Sequence, residues 1–381
     1  MGLIIAQAST NADKEKMFAF RYRIYVEELG YMLPDADHPR KRLWDPLDDV
    51  ATSYMVLDDK EVVGSLRIVF LEDVPDATSL IHKFAMRPAI AAMGESAICT
   101  TSRFIIHPCF RRSQAILHLM EAAYVHATER GVRLNYGDSS PHLLPFYEQL
   151  GYRRYTHPYN DTTFGFKFPI LMLGRDRHRL AAVRSPLARV AARYFDDEEA
   201  RRWFDHTYPN YLKLESARFM EAGMFLNHLS ECVAIDPLHD LKVLHGLRRQ
   251  EADLLLARAT VIRASAGDRI LRQGEFGNAL FVVLSGVVEG IVNETPDQPI
   301  SIRRAGDAFG EMNVLPPKPQ PANFIAKTSC EILVLPAEFL RHFTSTEPKI
   351  SAKVLRNLMR NSVDQPAMFT ASVAGSRASG G

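Results

Sequence analysis

Neither sign of charge is in excess in this chain: 46 lysines and arginines face 45 aspartates and glutamates, a formal net charge of +1 over 381 residues. No molecule-wide field draws it to nucleic acid, so electrostatic recognition must be local. Cysteine is scarce, with four residues at positions 99, 109, 232 and 330. They form no Cys-x-x-Cys pair and no tight ligand spacing, which argues against a disulfide framework or a bound metal and suits reduced, buried thiols. Runs of about 18 apolar residues are absent, so no membrane-spanning helix is expected. The opening MGLIIAQAST has only a short apolar run and no basic leader; it does not read as a secretory signal, and a cytoplasmic location is expected.

What is present divides into regions of different texture. Residues 15–29 carry Phe18, Tyr22, Tyr25 and Leu29 at helical spacing. SYMVL and EVVGSLRIVFL, separated by Asp58, Asp59 and Lys60, read as a strand, a turn and a strand. A strand at 102–107, a helix at 114–131, a strand near Leu134 to Tyr136, a helix at 141–151 and closing strands at 152–155 and 164–173 follow. The order α, β, β, β, α, β, α, β makes residues 1–175 a mixed α/β unit. Strand signals vanish over 176–233, which reads as a helical connector. Residues 234–365 read as an all-β roll with flanking helices, because seven of the 21 glycines crowd into positions 267–310 among short β-branched runs. The small polar stretch 366–381 reads as a disordered tail.

AGDRILRQGEFGNALFVVLSGVVEGIV at 266–292 and FGEMNVLPPKPQPANFIAKTSCEILVL at 309–335 resemble the opening strands and the phosphate-binding cassette of cyclic-nucleotide-binding domains. The resemblance implies that Phe309, Gly310 and Glu311 open a short helix whose N–H groups meet a phosphate, with the glutamate on a ribose hydroxyl. In that family an arginine nine residues after the glutamate neutralises the phosphate. Gln320 stands there, without an insertion, and Asn313 replaces a small residue. A neutral amide does not substitute for a guanidinium on phosphate, so tight cyclic-nucleotide binding is not expected.

In the first unit, FYEQLGY at 146–152 together with the element order resembles the acyltransferase superfamily in which two parallel strands splay to admit a thioester. The resemblance places Tyr147 where it could protonate a leaving thiolate. The glycine-rich turn of the acetyl-transferring members is missing, since Arg111-Arg112-Ser113-Gln114-Ala115-Ile116 holds no glycine; the coenzyme diphosphate cradle is correspondingly not expected. FRYRIYVEELGY at 20–31, the pair Asp45 and Asp48, Arg67 in GSLRIV and Arg103 in TSRFIIHP are similar to the branch that moves long acyl chains, represented by acyl-homoserine-lactone synthases and long-chain N-acyl amino acid synthases. Lactone synthases carry a glutamate where this chain has Thr100, which favours simple amide formation.

The resemblance implies that Asp48 or Asp45 accepts the amine proton, that Arg103, Arg21 and Arg67 hold an acceptor carboxylate or lock the acidic pair, and that a structural ion-pair network is the alternative. It further implies a thioester of acyl carrier protein or coenzyme A as donor, with no permanently bound cofactor. Arg111 and Arg112, with Arg40 to Arg42 and Arg153-Arg154, are candidate docks for the acidic carrier. The arginines at 175, 177, 179, 184, 189 and 193 are candidates for peripheral contact with anionic lipid. The expected activity is N-acyl transfer to an amino acid or similar small amine. A cyclic-nucleotide-gated lysine acetyltransferase and a non-catalytic sensing protein stand as alternatives.

Overall fold

The computed structural model describes residues 2–111, 113–211, 216–220, 223–233, 235–293, 298–314 and 318–363. Arg112 and the expected tail at 366–381 lie outside them. The chain folds as two compact units, one from residues 1–139, 146–157 and 168–213, the other from 140–145, 158–167 and the described residues after 213. The stretch expected as a connector is divided between them: Ala200 and Phe204 are buried in the first unit's core, whereas Phe225, Leu226 and Leu229 are buried in the second's.

In the first unit, strand β1 (Ile4–Gln7) precedes helix α1 (Asn11–Tyr22). β1 is not among the strands expected from the sequence. Thr10 and Asp13 close a capping box at the start of α1, satisfying first-turn N–H groups. Instead of continuing as an α-helix to Leu29, the chain widens into a π-helical turn over Arg23–Glu28, a departure often found beside functional sites. Strands β2 (Thr52–Asp58), β3 (Glu61–Phe70) and β4 (Ile98–Ile106) follow. Helix α2 (Ala115–Glu129), strand β5 (Leu134–Ser139), helix α3 (Leu144–Leu150), strand β6 (Arg153–Arg154) and strand β7 (Gly165–Leu173) complete the unit. The sheet order is β1-β2-β3-β4-β5-β7-β6. Ala115, Leu119, Met120, Ala123, Tyr124 and Ala127 form the buried stripe of α2, the face expected of a 3.6-residue period.

Strands β4 and β5 are parallel and pair over three positions only, Ile98 with Leu134, Cys99 with Asn135 and Thr100 with Tyr136. Beyond Thr100, β4 stays bound to β3, with Ser102 opposite Arg67 and Ile105 opposite Ser65. Past Tyr136, β5 stays bound to β7, with Ser139 opposite Phe168. Both lips of the gap are thus held by sheet hydrogen bonds, and the splay is a fixed feature of the fold.

The second unit is a β-roll of two antiparallel four-stranded sheets. One has the order β8 (Thr260–Ala264), β15 (Cys330–Pro336), β10 (Ala279–Ser285) and β13 (Ala308–Phe309); the other has β9 (Arg269–Leu271), β14 (Asn323–Ala326), β11 (Val288–Ile291) and β12 (Pro299–Arg303). Strand alternation sorts the side chains. Leu280, Val282 and Leu284 join Leu255, Leu340, Phe343, Ile350 and Val354 of the helices α4 (Arg249–Leu256), α5 (Ala337–Thr346) and α6 (Pro348–Val363) in one core. Phe281 turns the other way and stacks on Phe309 with ring centres 5.1 Å apart, and Phe309 stacks on Phe324 at 4.9 Å.

Candidate active site and ligand roll

The splay carries a cluster of ions along one lip. Arg21 from α1 donates to Asp48 at 2.7 Å and to the Ser53 hydroxyl at 3.3 Å. Arg67 from β3 contacts Asp45 at 2.6 Å and Asp48 at 3.1 Å. Its Nε donates to Ser102 at 3.1 Å. Arg103 from β4 donates through Nη2 to the other oxygen of Asp45 at 2.6 Å. The two aspartates are fixed by their own loop: the Asp45 carboxylate accepts from the Leu47 N–H, and that of Asp48 from the Asp45 N–H. Three guanidinium groups therefore meet two carboxylates, leaving one positive charge in excess. Arg103 Nη1 and Arg21 Nε are buried without hydrogen-bond partners.

Arg103 owes its position to a bulge. Between Ser65 opposite Ile105 and Arg67 opposite Ser102 the register slips, and Arg103 takes φ +52°, a left-handed conformation uncommon for a non-glycine residue. The Ser65 hydroxyl donates to the Arg103 carbonyl at 3.2 Å and pins the bulge. The Arg103 guanidinium also lies over the Tyr25 ring, 5.5 Å from its centre.

Burial by itself raises the Asp45 pKa, but the hydrogen-bonded Arg67 and Arg103 outweigh it and bring the carboxyl to about 2. Tyr147, on α3, packs edge-on against Phe146 and Tyr152 with centres 5.2 and 5.6 Å away; Phe146 in turn stacks at 6.0 Å on Phe104 of β4. Burial pushes the Tyr147 phenol well above its usual range, reinforced by Tyr152, Tyr25 and Asp138. Tyr147 is thus close to both Tyr25, beside the ion cluster, and Asp138, on β5. Desolvation likewise pushes the Cys99 thiol up, which makes it a poor nucleophile.

The basic pairs fare differently. Arg111 is engaged with Glu28 and with the Ile106 carbonyl, and Arg112 is outside the described residues. Arg154 pairs with Glu148 at 2.7 Å with both side chains 2% exposed, so it offers no charge to a docking protein. Lys41 pairs with Glu27 on the surface. A groove of about 340 Å³ brings Lys41, from the Arg40 to Arg42 run, together with Lys16, Arg23, Lys60, Glu27 and Glu61; the other three cations lie apart in sequence, so no run marks them.

In the roll, Gly310 takes the left-handed φ +77° that starts the short turn Glu311–Asn313. Phe309 is fully buried in the aromatic stack. Gln320 is also buried; its backbone N–H donates to the Glu275 carbonyl and its carbonyl accepts from Gly274 N–H. Its side-chain Nε2 donates to Asn313 Oδ1 at 2.6 Å. The cassette thus has its expected backbone, with an amide pair in place of an arginine.

The family model described as N-acyl amino acid synthase FeeM matches residues 16–176, and the cyclic nucleotide-binding domain model matches residues 261–347. The chain joins an N-acyl amino acid synthase domain to a cyclic nucleotide-binding domain. The model matching residues 16–176 is that of an acyltransferase family. The crystal structure of TofI in a ternary complex with an inhibitor and MTA is 21% identical, with 49% of this chain and 99% of that chain covered and a TM-score of 0.39. A cyclic nucleotide-binding domain from Methylobacillus flagellatus is 24% identical, covering 37% of this chain and 78% of that one, with a TM-score of 0.31. The cAMP-dependent protein kinase regulatory subunit of Emericella nidulans is 30% identical over 26% of this chain and 24% of its own length. The chain spans about a quarter of the length of the first such curated relatives. Among the described residues no helix is long and apolar enough to cross a membrane, and no cluster of metal-binding side chains occurs.

Proposed function

We propose that the synthase domain moves a long-chain acyl group from the thioester of an acyl carrier protein or coenzyme A to the amine of an amino acid or similar small acceptor, in the cytoplasm. The observation that carries this reading is the splay between β4 and β5, with a cation-rich cluster on one lip. The thioester enters the gap, and the surplus positive charge at Arg103, whose Nη1 has no partner, receives the acceptor carboxylate. Tyr147, kept protonated by burial, is a weak acid and serves by donating a hydrogen bond to the leaving sulfur as negative charge builds on it. In this reading Asp45 positions Arg67 and Arg103, because a carboxyl held at about 2 is a weak proton acceptor. Asp48 or a water beside it takes the amine proton. The groove lined by Lys16, Arg23 and Lys60 is the candidate dock for an acidic carrier protein, in addition to Arg111.

The roll serves regulation or scaffolding and does not grip cyclic nucleotides tightly, because amides replace the phosphate-neutralising arginine. The test of the catalytic reading is incubation of the full-length protein with acyl carrier protein and coenzyme A thioesters and mixed amino acids, followed by mass spectrometry. Acylated amino acids are expected. Acetylated protein lysines without any acyl amide are the opposing result.

A further inference from the structure

In the roll, three buried side-chain atoms stand out as having no hydrogen-bond partner: Nε and Nη1 of Arg303, and Oε1 of Gln320. Arg303 is only 5% exposed. It is the last residue of β12 and pairs across the ladder with the fully buried Val288, so its side chain is directed into the roll. There its guanidinium lies 5.9 Å from the centre of the Phe324 ring, at the end of the stack Phe324, Phe309, Phe281. Glu311, the cassette glutamate, and Asp307 are the carboxylates that act on it electrostatically. Asp307 is already committed: one oxygen accepts from Lys242 at 2.5 Å and the other from the Arg304 N–H at 2.8 Å.

A desolvated guanidinium with two unfilled donor groups is an unfavourable arrangement for a purely structural residue, since buried charges are ordinarily paired and hydrogen-bonded. The same arrangement is what a pocket for an oxyanion requires: a fixed cation, excluded from water, beside a flat apolar surface. We propose that Arg303 anchors a small carboxylate- or phosphate-bearing ligand inside the roll, supplying from β12 the positive charge that position 320 lacks. The ligand's oxyanion accepts from Arg303, and its remaining body lies against the aromatic stack. The roll is then a sensor whose specificity differs from that of a pocket anchored at position 320.

The test uses the full-length protein and thermal unfolding with three probes: cyclic AMP, inorganic phosphate and N-dodecanoylglycine. The first two distinguish a phosphodiester from the bare anion; the third asks whether an acyl amino acid, the product class of the synthase domain, is sensed. At least one probe is expected to raise the midpoint of the wild-type protein. Arg303→Leu should abolish that rise while melting no lower than wild type without a probe, because it removes an unpartnered buried charge. Arg303→Lys should keep the rise with affinity weakened about tenfold or more by calorimetry, and it decides the matter if the leucine variant does not fold. No rise with any probe overturns the proposal. So does an equal rise in wild type and variants, or a leucine variant that melts lower with no probe effect in wild type.

Discussion

Gln320 and Asn313 form one hydrogen-bonded unit: Gln320 Nε2 donates to Asn313 Oδ1 at 2.6 Å, and Asn313 Nδ2 donates to the Ala279 carbonyl at 2.8 Å. A Cβ built on Gly277 would stand 2.3 Å from Asn313 Nδ2, so the asparagine fills the space against that glycine. The two departures from the cassette pattern are therefore coupled. Gln320→Arg alone should not create tight nucleotide binding, because Asn313 still occupies the cradle. Asn313→Ala combined with Gln320→Arg should tighten cyclic AMP binding about tenfold or more relative to the single variant. Calorimetry on the full-length proteins checks this, and tight binding by the single variant counts against the coupling.

Asn313→Ala by itself should cost stability. It strips the acceptor from Gln320 Nε2 and the donor from Ala279, and a buried group left unsatisfied costs about 1–3 kcal/mol. Chemical denaturation with a probe in the roll should register the loss, and substituting Asn313→Asp should not restore it, since a carboxylate cannot donate to the Ala279 carbonyl.

Much of this was legible in the sequence because the informative residues sit at fixed offsets within single elements. Arg21 and Tyr25 are four apart on one helix, Arg67 and Arg103 lie on recognisable strands, and Gln320 is found by counting nine residues from Glu311. The partners were not legible, because they depend on register between distant strands. Arg103 reaches Asp45 through a bulge that no local signal marks. Arg154 reads as half of a surface basic pair, yet its strand turns it onto Glu148. Arg303 stands beside Arg304, and alternation along β12 buries it among the roll's apolar side chains. β1 is only four residues long, with no turn signal before it.

Asp45 should make the synthase domain acid-sensitive. Its carboxyl is lowered from an ordinary 3.8 to about 2. A depressed folded-state pKa contributes stability that is fully present above the unfolded value and is lost as pH falls through the folded one. The contribution is about 2 kcal/mol, present above about pH 4 and lost towards pH 2. Asp45→Asn should flatten the stability profile in that window while lowering stability at neutral pH. An unchanged slope between pH 4 and 2, followed by tryptophan fluorescence in denaturant titrations, contradicts the pairing.

With the phenol acting on the leaving group as proposed, Tyr147→Phe should lower kcat by about a hundredfold with little change in the acceptor KM. Burial holds the Tyr147 proton well beyond the ordinary range, so the wild-type rate should show no alkaline limb from this residue within a neutral assay range. A fall in melting temperature without loss of rate would instead make Tyr147 a packing residue between Phe146 and Tyr152.

Arg103 is where structure and chemistry are most closely joined. Its Nη2 is spent on Asp45 and its Nη1 has no partner, so one side of the guanidinium builds the cluster and the other is the proposed contact for an acceptor. Truncation to alanine removes both. Losing one member of a buried, hydrogen-bonded charge pair costs about 2–5 kcal/mol, and Arg103→Ala should reduce kcat/KM by about thirtyfold or more. Arg103→Lys keeps the charge but not the fork, so it should retain the Asp45 contact and lose acceptor affinity, raising the acceptor KM more than it lowers kcat. If the residue only maintained the ion cluster, both variants would shift stability and kcat together and leave the ratio of acceptor to donor KM unchanged. Steady-state kinetics with each substrate varied in turn, beside melting curves of the same preparations, separates the two.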